Sequence, residues 1–333
     1  MASALDLVLF VCWLISMPFY LLFLFTLFKY RTKEPLNSPF FTLCSLLGFF
    51  DVLTLNNNWI LLKFPMLDWL FMRQLLSLAP RLFASVFVVV AWFAAFGQFV
   101  AVTLMAFNRL SALVFPEKDG LIWNRTNTRI FVVVNFVIPA VVVAPQLALD
   151  FVYVGVGANQ SDTGPFAIRW LNFEAQKFYF IMSTAVLLAI SIFCAVCYLA
   201  IVWKIRGNLR EIASVLGGQA HSSGQTFSSD VKLAFFGFVL FVLLALYGFY
   251  TNQMASAEDI ESFVWAVALY TIVSDVFSWV NPYLIMITSS VVRKHVWMVV
   301  CCKTEEDRIV QVIPLAARNR ESTRSKARST LAN

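Results

Sequence analysis

"LMAFNRLSALVFP", residues 104–116, is the point at which a long uncharged stretch meets its first cation, Arg109. Upstream of it, 82–108 runs for 27 positions without a charged side chain. At a rise of ~1.5 Å per residue, about 20 residues already cross the hydrocarbon of a bilayer. The stretch reads as a membrane-spanning helix, with Arg109 at its exit. Two roles for Arg109 stay open: a cation reaching from a helix end toward headgroups, or a switch residue at that end.

Composition extends this reading to the whole chain. Its 333 residues are 60% hydrophobic and 13% charged, too apolar for a soluble domain of this size, so the chain is an integral membrane protein. A net charge of +6 and a pI near 9.0 raise the question of nucleic acid. The basic residues, however, fall between and after the apolar runs and form no aromatic-interleaved face, so membrane topology explains them and nucleic acid is excluded.

Seven apolar runs can be marked: 7–28, 39–62, 82–108, 130–149, 178–203, 233–252 and 262–287. Each is about long enough to span. The first is preceded by Asp6 and not by Lys or Arg, so it reads as a retained span and not as a cleaved leader. Alternate connections divide the Lys and Arg residues 20 to 5, the minority being Lys63, Arg73, Arg81, Arg169 and Lys177. That bias predicts an extracellular N-terminus and a cytosolic tail. The expected architecture is an all-α membrane protein, a seven-transmembrane helix bundle over residues 1–302, followed by a disordered basic cytosolic tail at 303–333.

The connections carry their own signals. On the predicted outer side lies the sequon at Asn159, the candidate glycosylation site, whereas the sequon pattern at Asn124 falls on the cytosolic side. No cysteine lies in a predicted outer loop, so no extracellular disulfide is available. The small, polar stretch 217–230 reads as an adaptable cytosolic loop. After the seventh run, "SSVVRKHVWMVVCC" (289–302) alternates basic and apolar positions and suits a short amphipathic helix on the inner leaflet, in contact with membrane lipids. Cys301 and Cys302 at its end are either palmitoylation sites or inert thiols beside lipid.

Charge inside the membrane costs several kcal/mol, so Asp51 and Asp275, near the middle of their runs, need a reason. The spacing Asp275, Ser278, Asn281 puts three polar groups on one broad face, which Asp51 can meet in the bundle interior. The cluster is either a set of structural hydrogen bonds to buried carboxyls or a site whose cation or proton differs between two states. Pro282 removes one backbone hydrogen bond from the seventh run, predicting a hinge in which Asn281 re-satisfies the freed groups.

The outward halves of the runs hold aromatic and hydroxyl groups suited to a small molecule: Phe87, Trp92 and Phe96 in the third run, Tyr179 and Ser183 in the fifth, Tyr247 and Tyr250 in the sixth, and Trp265 and Tyr270 in the seventh. Taken singly, each is more readily a packing or interface residue than a ligand contact. As a group they describe an apolar cavity with hydroxyl rims.

Asn108 and Arg109 followed by "LSALVFP", together with "FFDVL" around Asp51 and "SWVNPYLIMITSSVVR" at 278–293, resemble the signatures of nematode serpentine chemoreceptors of the class gamma and class V group (the Srg superfamily, Srv- or Srg-like). Those families carry an Asn-Arg pair and an aromatic-Pro where rhodopsin-like receptors carry an acidic-Arg-aromatic triplet. The resemblance implies a G-protein-coupled chemosensory receptor in the plasma membrane of sensory-neuron cilia. A small-molecule ligand and a heterotrimeric G protein are the implied partners, no cofactor is implied, and pairing into receptor homo- or hetero-oligomers stays open. Asn108, Arg109, Asn281 and Pro282 are the implied switch positions. The chain departs from rhodopsin-like receptors at Tyr283 and Ile285, and its sixth run has no proline, so their gating details do not transfer.

Arg109 lacks an adjacent carboxylate and needs another partner. Asp230, three residues before the sixth run, matches it in depth, with Glu211 and Glu117 as alternatives. Other classes fit less well. A ligand-gated or structural seven-span protein remains the alternative reading. An intramembrane aspartyl protease would place Gly-x-Gly before its second Asp, where this chain has Ile272, Val273 and Ser274. A retinal protein needs a lysine in 262–292, and there is none; the two histidines, His221 and His295, are too few and too far apart for a metalloenzyme, so no metal site is expected.

Overall fold

The computed structural model describes residues 4–66, 74–76, 78–155, 166–215, 224–257 and 260–301, with 155, 166–167, 208–215, 224–237, 260–261 and 264 described as backbone only. Asn159, Cys302 and the tail at 303–333 lie outside these residues, as do the side chains of Glu211 and Asp230. The helices are α1 (Ala4–Lys29), α2 (Pro39–Asn58), α3 (Pro80–Val114), α4 (Pro116–Ile122), α5 (Arg125–Val143), α6 (Phe173–Val215), α7 (Gly224–Ser256), α8 (Ile260–Thr288) and α9 (Ser290–Val300). Two strands, β1 (Phe151–Gly155) and β2 (Phe166–Trp170), stand between α5 and α6.

Six of the helices are long and apolar enough to cross a bilayer. Lipid offers the backbone no hydrogen bonds, so uncharged runs of this length close their own as helices. The seventh, α8, packs against α7 and α2 and completes a seven-helix membrane bundle. Its centre is α3, which touches α2, α5, α6 and β1. Phe50 and Leu47 of α2 and Phe99 of α3 itself are all fully or almost fully buried in the core. Gly97 permits the closest approach: a Cβ there would stand 2.3 Å from the Phe50 ring. The neighbouring carbonyl is used as well, since Asn135 of α5 donates to the Gly97 carbonyl at 3.1 Å.

Helix ends reflect their local chemistry. Asn124 caps α5 by accepting from the Asn127 amide at 2.8 Å, and Ser289 caps α9 through the Val292 amide at 3.3 Å. Arg293 of α9 turns back to donate to the carbonyls of Met286 and Ile287 at 2.7 and 2.6 Å, covering groups that the end of α8 leaves without helical partners. At the end of α3, Ser111 accepts from the Trp123 indole at 2.7 Å and donates to Asp119 at 2.9 Å, which ties α4 to α3.

Two local features depart from the sequence reading. Lys63, counted there with the loop cations, belongs to a π-helical turn, Trp59–Lys63, that prolongs α2 and carries the lysine into the bundle. A π turn inserts an extra residue and so rotates later side chains about the helix axis, which is how a charge at the edge of an apolar run comes to face inward. The connection between α5 and α6 also contains an antiparallel β-ribbon, in register Phe151↔Trp170 and Tyr153↔Ile168. These four are buried and Arg169 between them is exposed, the two-residue alternation of a strand with one face on a core.

Candidate functional site

The ribbon end of the bundle holds a cavity of about 100 Å³, with α2, α3, α6, α7, α8 and β2 around it. Helix α2 contributes Thr54 and Asn58, and the π turn that prolongs it contributes Leu62. Helix α3 contributes Phe87, Val88, Ala91, Trp92 and Ala95, the repeat of one helix face. From α6 come Phe180 and Ser183, from α7 Tyr247, Thr251 and Met254, and from α8 Phe263, Val267, Tyr270 and Thr271. Ile168 and Trp170 of β2 complete the lining. The ribbon is held down by Tyr153, whose hydroxyl donates to the Leu61 carbonyl at 2.5 Å. Burial pushes that phenol well above its ordinary value, so it remains a donor.

Of the nine residues singled out as ligand contacts, Phe87, Trp92, Ser183, Tyr247 and Tyr270 line this cavity. The hydroxyls of Tyr247 and Tyr270 bond to each other. Two more stand just behind the wall: Phe96 stacks on Trp92 at 6.0 Å, and Tyr179 packs against Trp92 at 5.4 Å. The remaining two do not line it. Trp265 is 65% exposed on the outer surface of α8, two residues from the inward Phe263 and so on the opposite side of the helix. Tyr250 packs beside Phe249, at the edge of the stripe formed by Tyr247, Thr251 and Met254.

Below the cavity the polar residues form two groups and not one. In the upper group the Lys63 ammonium pairs with the Asp275 carboxylate, which Asn58 also meets, its amide donating at 3.3 Å to Asp275 and at 3.2 Å to Ser274. The Lys63 ammonium also lies 4.4 Å from the centre of the Trp59 ring. In the lower group Asp51 accepts from Tyr20, from Gln98 at 2.6 Å and from Asn281 at 3.1 Å, and the Gln98 amide also reaches Ser278 at 3.0 Å. Asp51 and Asp275 are each fully buried with their own donors. The sequence placed Asp275 with Ser278 and Asn281 because they are three apart; Lys63 draws the aspartate away, while Gln98 holds Ser278 and Asp51 holds Asn281. Asn281 directs its amide to Asp51 and the Tyr20 hydroxyl, not to the backbone freed by Pro282.

Sequence reasoning missed Lys63, Gln98, Tyr20 and Asn58. Gln98 was legible as the polar side chain in the middle of an uncharged run of 27. Lys63 was not, because its inward direction depends on the π turn.

The opposite, α9 end opens into a second cavity bordered by Pro35, Phe40, Asn108, Arg109, Asp119 and Thr288, among others. Arg109 lays its guanidinium over the Phe40 ring at 3.5 Å, and Asn108 is buried beside it. Glu117 is exposed on α4. Cys301, at the C-cap of α9, is exposed.

Comparison with known proteins adds two findings. The sequence model of the family described as "Serpentine type 7TM GPCR chemoreceptor Srv" matches residues 9–302. A curated relative, "Serpentine receptor class V-1" of Caenorhabditis elegans, is 26% identical over 145 residues, 42% of this chain and 45% of that protein. The match therefore spans less than half the length of that relative.

Proposed function

The chain belongs to the Srv family of serpentine seven-transmembrane chemoreceptors, a receptor class and not an enzyme class, and on that footing we propose that it detects a small molecule in the cavity at the ribbon end and signals through a heterotrimeric G protein at the α9 end. The observation that carries this reading is the position of Asn58. Its side chain lines the cavity and holds Asp275 and Ser274 of α8, so an occupant that displaces α2 or α8 acts on the polar contacts beneath it. Below them, Gln98 and Asn281 join Asp51 to α8 near the depth of Pro282, and α8 continues to Thr288 on the wall of the second cavity. A ligand that favours one arrangement of α8 shifts the receptor population by its differential affinity for that arrangement.

Orientation is argued from the basic residues. Their division, 20 on the α9 side against 5 on the ribbon side, one of which (Lys63) is drawn into the bundle, supports an extracellular ribbon end and a cytosolic α9 end, the side from which a G protein would reach the Arg109 cavity. The plasma membrane of sensory cilia is the location that family membership supports. Asn159 is the proposed glycosylation site outside, and Cys301 and Cys302 the proposed acylation sites inside.

The test is a calcium or cyclic-nucleotide readout in cells expressing the full chain, screened against small odorants and nematode-secreted molecules. An active compound is expected to lose potency at Ala91→Leu, which fills the cavity, and to lose signalling but not binding at Arg109→Ala. A compound whose potency is indifferent to Ala91→Leu, Phe87→Ala and Tyr270→Ala alike would remove the cavity from this role.

A further inference from the structure

Thr54 stands on the α2 wall of the cavity with 3% of its surface exposed. Its hydroxyl oxygen is buried and has no hydrogen-bond partner. This is unusual within the bundle. Thr26, Thr103, Thr184, Thr251 and Thr288 each donate to the carbonyl four residues earlier, at 2.7 to 2.9 Å. That return bond is the usual refuge of a threonine hydroxyl in an apolar helix, and Thr54 does not make it. A buried hydroxyl left unsatisfied costs about 1–3 kcal/mol, and a rotamer change about one Cα–Cβ bond carries the hydroxyl to the position that the methyl now holds.

The rest of the wall limits what can satisfy it. Among the described residues no Asp, Glu, Lys, Arg or His lines the cavity. The nearest carboxylate behind the wall, Asp275, is already engaged by Lys63 and Asn58. A charged ligand would surrender its hydration and find no counter-ion, at a cost of several kcal/mol. Size sets a further limit. An apolar cavity of about 150 Å³ accepts benzene, so a void of about 100 Å³ suits a molecule of roughly one ring, with modest adjustment of the walls.

We infer that the cavity takes a neutral molecule of about one ring carrying a single hydroxyl or carbonyl group, and that Thr54 is the residue that recognises this group. The inference rests on the cavity being the ligand site, as proposed above. The aromatic walls supply apolar contact that is indifferent to the polar group, and the polar groups of Asn58, Tyr247, Thr251, Tyr270 and Thr271 on the same wall already have partners. Selectivity for an alcohol, phenol or ketone over the bare hydrocarbon therefore falls to Thr54, with Ser183 of α6 the other hydroxyl on the wall.

The experiment uses the purified full chain in nanodiscs and ¹⁹F NMR binding of four probes of nearly equal size: 4-fluorophenol, fluorobenzene, 4-fluorobenzylamine and 4-fluorobenzoate, with empty nanodiscs as the partition reference. The expected order places 4-fluorophenol first and the two ions last. Thr54→Val should weaken 4-fluorophenol roughly two- to tenfold, the range of one neutral hydrogen bond, and leave fluorobenzene unchanged, whereas Thr54→Ser should retain the preference. Both variants stay close to threonine in size, and a monodisperse elution profile establishes that each is folded. If Ala91→Leu abolishes binding but Thr54→Val leaves the phenol-to-fluorobenzene ratio unchanged, the role of Thr54 is wrong while the cavity stands as the site. Tighter binding of the amine or the carboxylate would overturn the neutral-ligand inference. Failure of all four probes, or binding untouched by Ala91→Leu, would remove the cavity itself and this inference with it.

Discussion

Lys63 and Asp275 form an ion pair inside the bundle, with 11% and 0% of their side chains exposed, joining the π turn of α2 to the middle of α8. Removing one member of a buried pair strands the other, which typically costs about 3–5 kcal/mol, whereas replacing both by apolar groups is often neutral. Lys63→Met alone and Asp275→Leu alone should therefore lose most folded receptor, and the double variant should recover it. Fluorescence-detected size exclusion of the three reads this directly. Equal folded yields in the singles would mean that water reaches the pair.

That pair also marks what could be read from the chain. Depth was largely legible, because the cost of charge in lipid writes the boundaries into composition. Six of the seven apolar runs lie within the helices, α2 counted with its π turn, and only the fourth, 130–149, outruns its helix, which ends at Val143. Direction around a helix axis was not. Trp265 and Phe263 are two residues apart and equally suited to a ligand by depth, yet one faces outward and the other the cavity. The amphipathic signal that separates such pairs in soluble helices is lost where both faces are apolar. The ribbon left a trace in the aromatic and β-branched content of "FVYVG" and "FAIRW", overshadowed by the neighbouring spans.

Tyr20→Phe removes one of three donors to the Asp51 carboxyl and leaves Gln98 and Asn281 in place. A loss of about 1–3 kcal/mol is expected, since the hydrogen bond is fully buried. A thermal-unfolding series in detergent measures it, and an unchanged midpoint would count against the bond.

Gly97→Val should be strongly destabilising, because the new side chain begins where the Phe50 ring now lies. Overpacking of this kind costs about 1–3 kcal/mol when neighbours can shift. Phe50→Leu in the same chain should restore part of the folded yield. The absence of rescue would point instead to strain in the Asn135 bond to the Gly97 carbonyl.

Arg109 over the Phe40 ring is a restraint of about 0.5–2 kcal/mol by the strength of cation–π contacts. If this contact holds the resting state, Phe40→Leu should raise ligand-independent signalling a few-fold. Asp230→Asn tests the ion pair expected from the sequence in the same assay. A rise with Asp230→Asn and none with Phe40→Leu would assign the restraint to that pair; two flat results would leave Arg109 as an anchor at the headgroups.

An epitope at Met1 should be labelled on intact cells and one at Asn333 only after permeabilisation, given the 20 to 5 division of basic residues. The reverse pattern would invert the bundle and end the G-protein reading.

Two of the side chains around the cavity, Ile168 and Trp170, belong to a short ribbon whose register is set by its own ladder and not by the spanning helices. Successive strand positions point to opposite faces, so a substitution at Ile168 reshapes the cavity while Arg169 remains outside. Chemical tuning is thereby separated from membrane insertion. A duplicated gene can explore new cavity shapes at Ile168 while inheriting its seven helices unaltered, and a library randomised at that single codon is a compact way to watch such divergence happen.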